Sequence, residues 1–131
     1  MAKILIIEDS PLNMKLWCLF LGIAGHIALC ATNAEAGLIM AVADQPDLIL
    51  MDIQLPGING LAATMLLKQG SATANIPVVA LTAMAMKIDV KNILMAGCDA
   101  YIIKPVHYKD LYLEIDRLLA KYKPCTNYQT C

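Results

Sequence analysis

The sequence predicts an α/β fold: a three-layer α/β/α sandwich around a five-stranded parallel sheet. Two patterns along the 131 residues predict it. Short apolar stretches alternate five times with longer stretches of helical character, as in successive strand–helix units. The apolar stretches are also continuous rather than alternating with polar residues, which is typical of strands covered by helices on both faces of a sheet.

The first strand is predicted at residues 3–7 (KILII) and the second at residues 27–31 (IALCA). Between them we expect a helix that is capped by Ser10, has Pro11 at its first position and ends at Gly25. Its apolar spacing predicts which side chains face the sheet. These inward residues are Leu16, Trp17, Phe20, Leu21 and Ala24.

The second helix is predicted over residues 33–44, because Thr32 and Glu35 have the spacing of a capping box. The third strand follows at residues 47–51 (DLILM). A loop rich in proline and glycine then leads to a third helix over residues 61–69.

The second half continues the alternation. A fourth strand is predicted at residues 76–81, a fourth helix at 86–96, a fifth strand at 100–103 and a last helix at 107–122. We expect one domain over residues 1–122, followed by a short polar tail at 123–131.

Composition narrows the possible classes of function. Lys and Arg total 10 and Asp and Glu total 11, so the net charge is -1. A nucleic-acid-binding protein typically carries an excess of basic residues, which this chain does not have. The most apolar stretch, residues 16–32, is interrupted by two glycines and a histidine. This favours a helix end followed by a strand over membrane insertion. The N-terminus does not resemble a signal peptide, so we expect a cytoplasmic location.

Five cysteines are present and none forms a CxxC pair. We expect reduced thiols, as in a reducing compartment. Cys125 and Cys131, in the polar tail, are the two whose redox state the sequence leaves open.

Polar residues follow the predicted strands at their carboxyl ends. Glu8 and Asp9 follow the first strand, Asp52 the third, Thr82 the fourth and Lys104 the fifth. In a parallel sheet these ends share one edge, where ligands bind. Three nearby carboxylates repel unless a cation joins them, and an all-oxygen set suits Mg²⁺. Because a carboxylate can accept a phosphoryl group, the set predicts a phosphoaspartate site with Asp52 as acceptor and Thr82 and Lys104 as catalytic residues.

These residues lie in motifs that resemble a response-regulator receiver domain of the CheY-like family over residues 3–121. The motifs are IIEDS (6–10), LILMDIQLPGINGL (48–61), VVALTA (78–83) and YIIKP (101–105). Within the family the sequence is most similar to DivK-type single-domain regulators. The resemblance implies the flavodoxin-like strand order 2-1-3-4-5. It also implies phosphotransfer to Asp52 from a sensor histidine kinase or a histidine phosphotransferase.

The resemblance further assigns the metal ligands. It implies that Asp9 and Asp52 bind Mg²⁺ directly, together with the backbone carbonyl of Gln54, and that Glu8 acts mostly through water. In the family, the residue at position 54 and the one at position 84 tune the loss of phosphate. Met84 is bulky and apolar, so we expect slow autodephosphorylation.

Output is implied to be a two-state switch. Thr82 moves toward the phosphate, Tyr101 turns inward behind it, Lys104 binds the phosphate and the bond to Pro105 is cis. The expected readout surface comprises the fourth helix, the fifth strand and the fifth helix, for a downstream protein target or a homodimer. Six of the ten residues 86–95 are apolar, so at least two should point outward on the fourth helix.

Three alternative functions fit the sequence less well. A phosphatase of the haloacid-dehalogenase type needs a second acid two residues after the nucleophile, where this chain has Gln54. A flavodoxin-like electron carrier needs a phosphate-binding loop rich in Ser, Thr and Gly after the first strand, where this chain has the acidic EDSPLN. A receiver used only for interaction would lack part of the constellation, which is complete here. The sequence leaves open a receiver within a longer chain; the expectation is a stand-alone regulator.

Overall fold

The computed structural model describes residues 1–83 and 87–122. Within them, strands and helices alternate as predicted. In chain order they are β1 (Lys3–Ile7), α1 (Pro11–Ile23), β2 (Ile27–Ala31), α2 (Ala34–Asp44), β3 (Leu48–Asp52), α3 (Gly60–Gln69), β4 (Val78–Thr82), α4 (Lys87–Met95), β5 (Ala100–Ile103) and α5 (Tyr108–Tyr122). The strands form one parallel sheet in the order β2-β1-β3-β4-β5. The predicted fold class and strand order are confirmed.

Apolar clusters cover both faces of the sheet, because side chains alternate between its faces along each strand. In β1, Ile4 and Ile6 pack into one cluster with Trp17 of α1 and residues of α5. Leu5 and Ile7 pack into the other, with residues of α2 and α3. Every residue of β3 and β4 is buried. The continuous apolar runs of the sequence are thus the consequence of a sheet covered on both sides.

Two strands include a polar residue that the predictions placed after them. The third strand is Leu48–Asp52 rather than 47–51, and the fourth is Val78–Thr82 rather than 76–81. Asp52 and Thr82 pair within the sheet, Asp52 with Leu81 and Thr82 with Ile103. The ladder hydrogen bonds therefore fix the backbone of both residues.

The caps of the first two helices agree only in part with the sequence predictions. Ser10 caps α1 as expected. The cap of α2, however, is Asn33, whose side chain accepts a hydrogen bond from the Ala36 N–H at 2.8 Å. The capping box of Thr32 and Glu35 is therefore wrong by one residue. An asparagine caps as well as a threonine, and starting the helix later leaves Glu35 too early to close a box.

The predicted inward face of α1 is also only partly correct. Trp17 and Leu21 are buried and Phe20 is half-buried, but Leu16 is 38% exposed and Ala24 is exposed. Because α1 packs near the edge strand β2, only a narrow stripe of the helix reaches the sheet, and its flanks face solvent.

The apolar stretch at 16–32 divides between α1 and β2, and the described helices include none with the length and apolarity to cross a membrane.

The expectation for the fourth helix is confirmed. Leu94 is 50% and Met95 74% exposed, whereas Ile93 is buried. Met84, the start of the predicted helix at 86, and the tail at 123–131 with Cys125 and Cys131 lie outside the described residues.

Cys18 of α1 and Cys30 of β2 form a thiol pair that the sequence did not suggest. Their Sγ atoms are 3.4 Å apart, with Cys30 exposed and Cys18 half-buried. Burial and the neighbouring Cys30 thiol raise the pKa of Cys18 to about 11. Of the two thiols in this pair, Cys30 is therefore the one that an oxidant in solution reaches first.

We expect dilute hydrogen peroxide to join Cys18 to Cys30. Peroxide converts the Cys30 thiol to a sulfenic acid with release of water, and the Cys18 thiol then displaces a second water to form the disulfide. Peptide mapping by mass spectrometry should find this crosslink, while the buried Cys98 stays reduced. Cys30→Ser should prevent it, and oxidation of Cys98 before this pair would contradict the expectation.

Candidate functional site

Three carboxylates meet at the carboxyl edge of the sheet. One oxygen each from Glu8, Asp9 and Asp52 lies within 4.8 Å of the others. Glu8 is 1% and Asp52 3% exposed, whereas Asp9 is exposed. The sheet register brings Glu8 and Asp52 close together, because Ile7 pairs with Met51 and each of these two residues is followed by an acid. The predicted acidic cluster is present.

Lys104 brings a positive charge to the same cluster from the other side. Its Nζ is 3.3 Å from Asp52 Oδ1 and 3.7 Å from Glu8 Oε1. The backbone N–H of Lys104 donates to the Thr82 carbonyl at 2.7 Å, which fixes the residue just after β5. The peptide bond from Lys104 to Pro105 is cis, as expected.

Glu8 occupies the most desolvated position of the cluster. Burial raises its pKa above the ordinary value of 4.5, and the adjacent Asp52 carboxyl raises it further. Hydrogen bonds from the Trp17 indole N–H, at 3.1 Å, and from the Ser10 backbone N–H, at 3.2 Å, favour the charged form and oppose this shift. A cation among the carboxylates would lower the pKa of Glu8, since an opposite charge favours ionised carboxylates.

The remaining predicted site residues lie around the cluster. Gln54 donates its backbone N–H to Asp52 Oδ1 at 3.1 Å, so the turn after β3 folds back onto the acid. Thr82 ends the neighbouring strand and is buried. Tyr101 is half-buried in β5, where it pairs with Ala80 rather than with Thr82, and it packs against the cluster on the α2–α3 side. Met84 is outside the described residues.

Trp17 is the site residue that sequence reasoning missed. The helical spacing of α1 predicts it as a core residue, which it is, but its indole N–H also reaches Glu8. The available signal was chemical: a buried tryptophan carries one N–H that needs a partner. The sequence does not show that Glu8 lies beside the indole, because Glu8 follows β1 whereas Trp17 lies within α1.

The donor set fits Mg²⁺. The ligands on offer are three carboxylate oxygens, the hard oxygen ligands that Mg²⁺ takes. Three carboxylates against the Lys104 ammonium leave an excess of negative charge, which one divalent cation would balance. The exposed Asp9 keeps one side of the cluster open to water, which Mg²⁺ retains in its shell.

Comparison with known proteins gives consistent matches. A model of the response regulator receiver domain family matches residues 4–116. The polar-differentiation response regulator DivK of Brucella anthropi is 45% identical over 104 residues, which cover 79% of this chain and 85% of that protein. DivK of Brucella ovis is 44% identical over the same shares of the two chains.

Solved structures agree. The receiver domain of a signal transduction histidine kinase from Syntrophus aciditrophicus superposes with a TM-score of 0.88 at 30% identity, covering 97% of this chain and 96% of that one. The receiver domain of a sensor histidine kinase from Pseudomonas aeruginosa has a TM-score of 0.85 at 29% identity, covering 91% and 98%. That structure holds a magnesium ion coordinated in its active-site cleft.

Proposed function

Because the chain belongs to the response regulator receiver domain family, we propose that Asp52 accepts a phosphoryl group from a phosphohistidine and that the protein relays this signal to a partner. Receiver domains are signalling proteins rather than enzymes acting on a separate substrate, so the phosphatase alternative is set aside. The observation that carries the proposal is the buried Asp52 carboxylate between two further acids and the Lys104 ammonium.

The Asp52 carboxylate is the nucleophile of the proposed reaction. One of its oxygens attacks phosphorus, the bond from phosphorus to the donor imidazole breaks, and the imidazole leaves and takes up a proton. Sheet pairing, the Gln54 N–H and the Lys104 ammonium hold Asp52 still for this in-line displacement. The Lys104 ammonium then binds the phosphoryl oxygens, and the Thr82 hydroxyl donates a hydrogen bond to the phosphoryl group.

Mg²⁺ would be held by Asp9, Asp52 and the Gln54 carbonyl directly and by Glu8 through water. It would supply charge neutralisation on the phosphoryl group as that group moves between nitrogen and oxygen. The negative charge of the carboxylates would otherwise repel a phosphoryl donor.

The proposed output joins Tyr101 to the exposed face of α4, β5 and α5. A groove of about 270 Å³ lies between β5 and α5, lined by Tyr101, Ile103 and Leu113 among others. Ile103 and Leu113, like Leu94 and Met95 of α4, are exposed apolar residues. An inward turn of Tyr101 would change the shape of this groove, which is how phosphorylation would alter partner binding.

The phosphodonor, the target and the location of the protein are predictions from the sequence. The phosphodonor is a sensor histidine kinase or a histidine phosphotransferase, and the target is a protein or a second copy of the chain. We expect no nucleic-acid partner, no membrane insertion and a cytoplasmic location. We also propose the domain limits 1–122, with 123–131 as a tail.

Phosphoryl uptake from a small donor tests the proposed function. Incubation with acetyl phosphate and Mg²⁺ should add the mass of one phosphoryl group to the intact protein. Excess EDTA should prevent the addition, because the acidic cluster would then repel the donor. Uptake that is equal with Mg²⁺ and with EDTA would contradict the proposed site, as would the absence of uptake with Mg²⁺.

A further inference from the structure

Trp17, the one tryptophan of the chain, reaches from α1 to the acidic cluster. Its indole Nε1 lies 3.1 Å from Glu8 Oε1, and both side chains are almost fully buried. A phenylalanine or leucine could also pack beside Ile4 and Ile6 but would offer no N–H to Glu8. The indole N–H therefore adds a hydrogen bond to Glu8 that apolar packing does not require.

The hydrogen bonds to Glu8 are arranged one to each carboxylate oxygen. Oε1 accepts from the Trp17 indole and Oε2 from the Ser10 backbone N–H at 3.2 Å. The two donors, one within α1 and one at its N-cap residue, fix the rotation of the Glu8 carboxylate, which the Lys104 ammonium approaches to 3.7 Å. The backbone N–H of Glu8 is itself bonded to the Ala31 carbonyl at 3.0 Å, so main chain and side chain are both held.

We propose that Trp17 is a positioning residue of the Mg²⁺ site, whose indole N–H holds the Glu8 carboxylate in the orientation that serves the cation. The inference rests on the proposed function, in which Glu8 acts on Mg²⁺ through water. A carboxylate held in advance loses less conformational freedom when the cation binds, so the contact raises Mg²⁺ affinity. Partners that orient direct metal ligands contribute roughly tenfold or more to metal affinity, and because Glu8 acts through water we expect an effect of up to about tenfold.

The first test uses the unmodified full chain and the indole as its probe. A ¹⁵N-labelled sample should give one indole N–H resonance, since there is one tryptophan. Titration with MgCl₂ should shift this resonance and saturate at the Mg²⁺ concentration that saturates the heat of binding by calorimetry. An indole resonance that stays in place while calorimetry records Mg²⁺ binding would overturn the proposal.

The second test removes the N–H and keeps an aromatic ring. Trp17→Phe should weaken Mg²⁺ binding measurably by calorimetry, by up to about tenfold. The matched control is Leu21→Ala, which removes packing from the same buried stripe of α1, at a side chain that has no hydrogen-bond donor to offer Glu8. It should lower the unfolding midpoint and leave Mg²⁺ affinity unchanged.

Different results would overturn the positioning role of Trp17 and the proposed phosphoacceptor function. Equal Mg²⁺ affinity in Trp17→Phe and the unmodified chain would overturn the positioning role while leaving the phosphoacceptor proposal intact. Equal weakening in Trp17→Phe and Leu21→Ala would also overturn it, because general loosening of α1 would then explain the effect. No Mg²⁺ binding by the unmodified chain, with no phosphoryl uptake, would overturn the proposed function itself.

Discussion

Asp52→Asn will abolish phosphoryl uptake from acetyl phosphate and leave the fold standing. Asparagine has the shape of aspartate, and its amide oxygen can still accept the hydrogen bonds that Oδ1 receives from the Gln54 N–H and Lys104. What it lacks is the charge that makes the oxygen a nucleophile toward phosphorus. Intact-protein mass spectrometry after incubation with donor and Mg²⁺ measures the loss, and circular dichroism with chemical denaturation measures the fold.

The control is Asp116→Asn, which makes the same chemical change at an exposed position of α5. This variant should take up one phosphoryl group as the unmodified chain does. Equal labelling of the Asp52 variant and the unmodified chain would remove Asp52 as acceptor. A collapse of the folded state in Asp52→Asn would show instead that the carboxylate is structural.

The acidic cluster and Lys104 could be predicted from the sequence because topology alone brings them together. Any parallel sheet with this strand order places residues that follow β1, β3 and β5 at one edge. The prediction needed no side-chain geometry, only the recognition that each strand ended near a polar residue. It therefore survived errors of one residue at the ends of β3 and β4.

Features that depend on side-chain direction could not be predicted in the same way. The Trp17–Glu8 hydrogen bond and the Cys18–Cys30 contact each join a helix to a strand end or edge. Their existence depends on how far α1 sits from the sheet and on side-chain rotamers, neither of which residue spacing encodes. The exposure of Leu16 has the same origin, since apolar spacing does not show how much of a helix the sheet covers.

Gly60→Ala will destabilise the protein and disturb the phosphoacceptor. Gly60 begins α3, and its N–H donates to the Ile53 carbonyl at 3.1 Å. A Cβ added there would lie 2.7 Å from the Ile53 Cα and would collide with the Asp52 carbonyl oxygen. Because these are backbone atoms at the end of a central strand, they cannot move aside without shifting Asp52. We expect the free energy of unfolding to fall by about 3 kcal/mol, and phosphoryl uptake to slow.

The same substitution at Gly22 should have the opposite sign. Gly22 is exposed in α1, and a Cβ added there meets nothing within 4 Å. Replacing this glycine, in the last turn of α1, with alanine should raise the free energy of unfolding by up to about 1 kcal/mol. Urea denaturation of the two variants measures both changes, and the uptake rate from acetyl phosphate should fall only in Gly60→Ala. A gain of stability in both variants would contradict this expectation. It would show that the backbone at the end of β3 can move to accommodate the added Cβ, and that the close approach of α3 does not fix the position of Asp52.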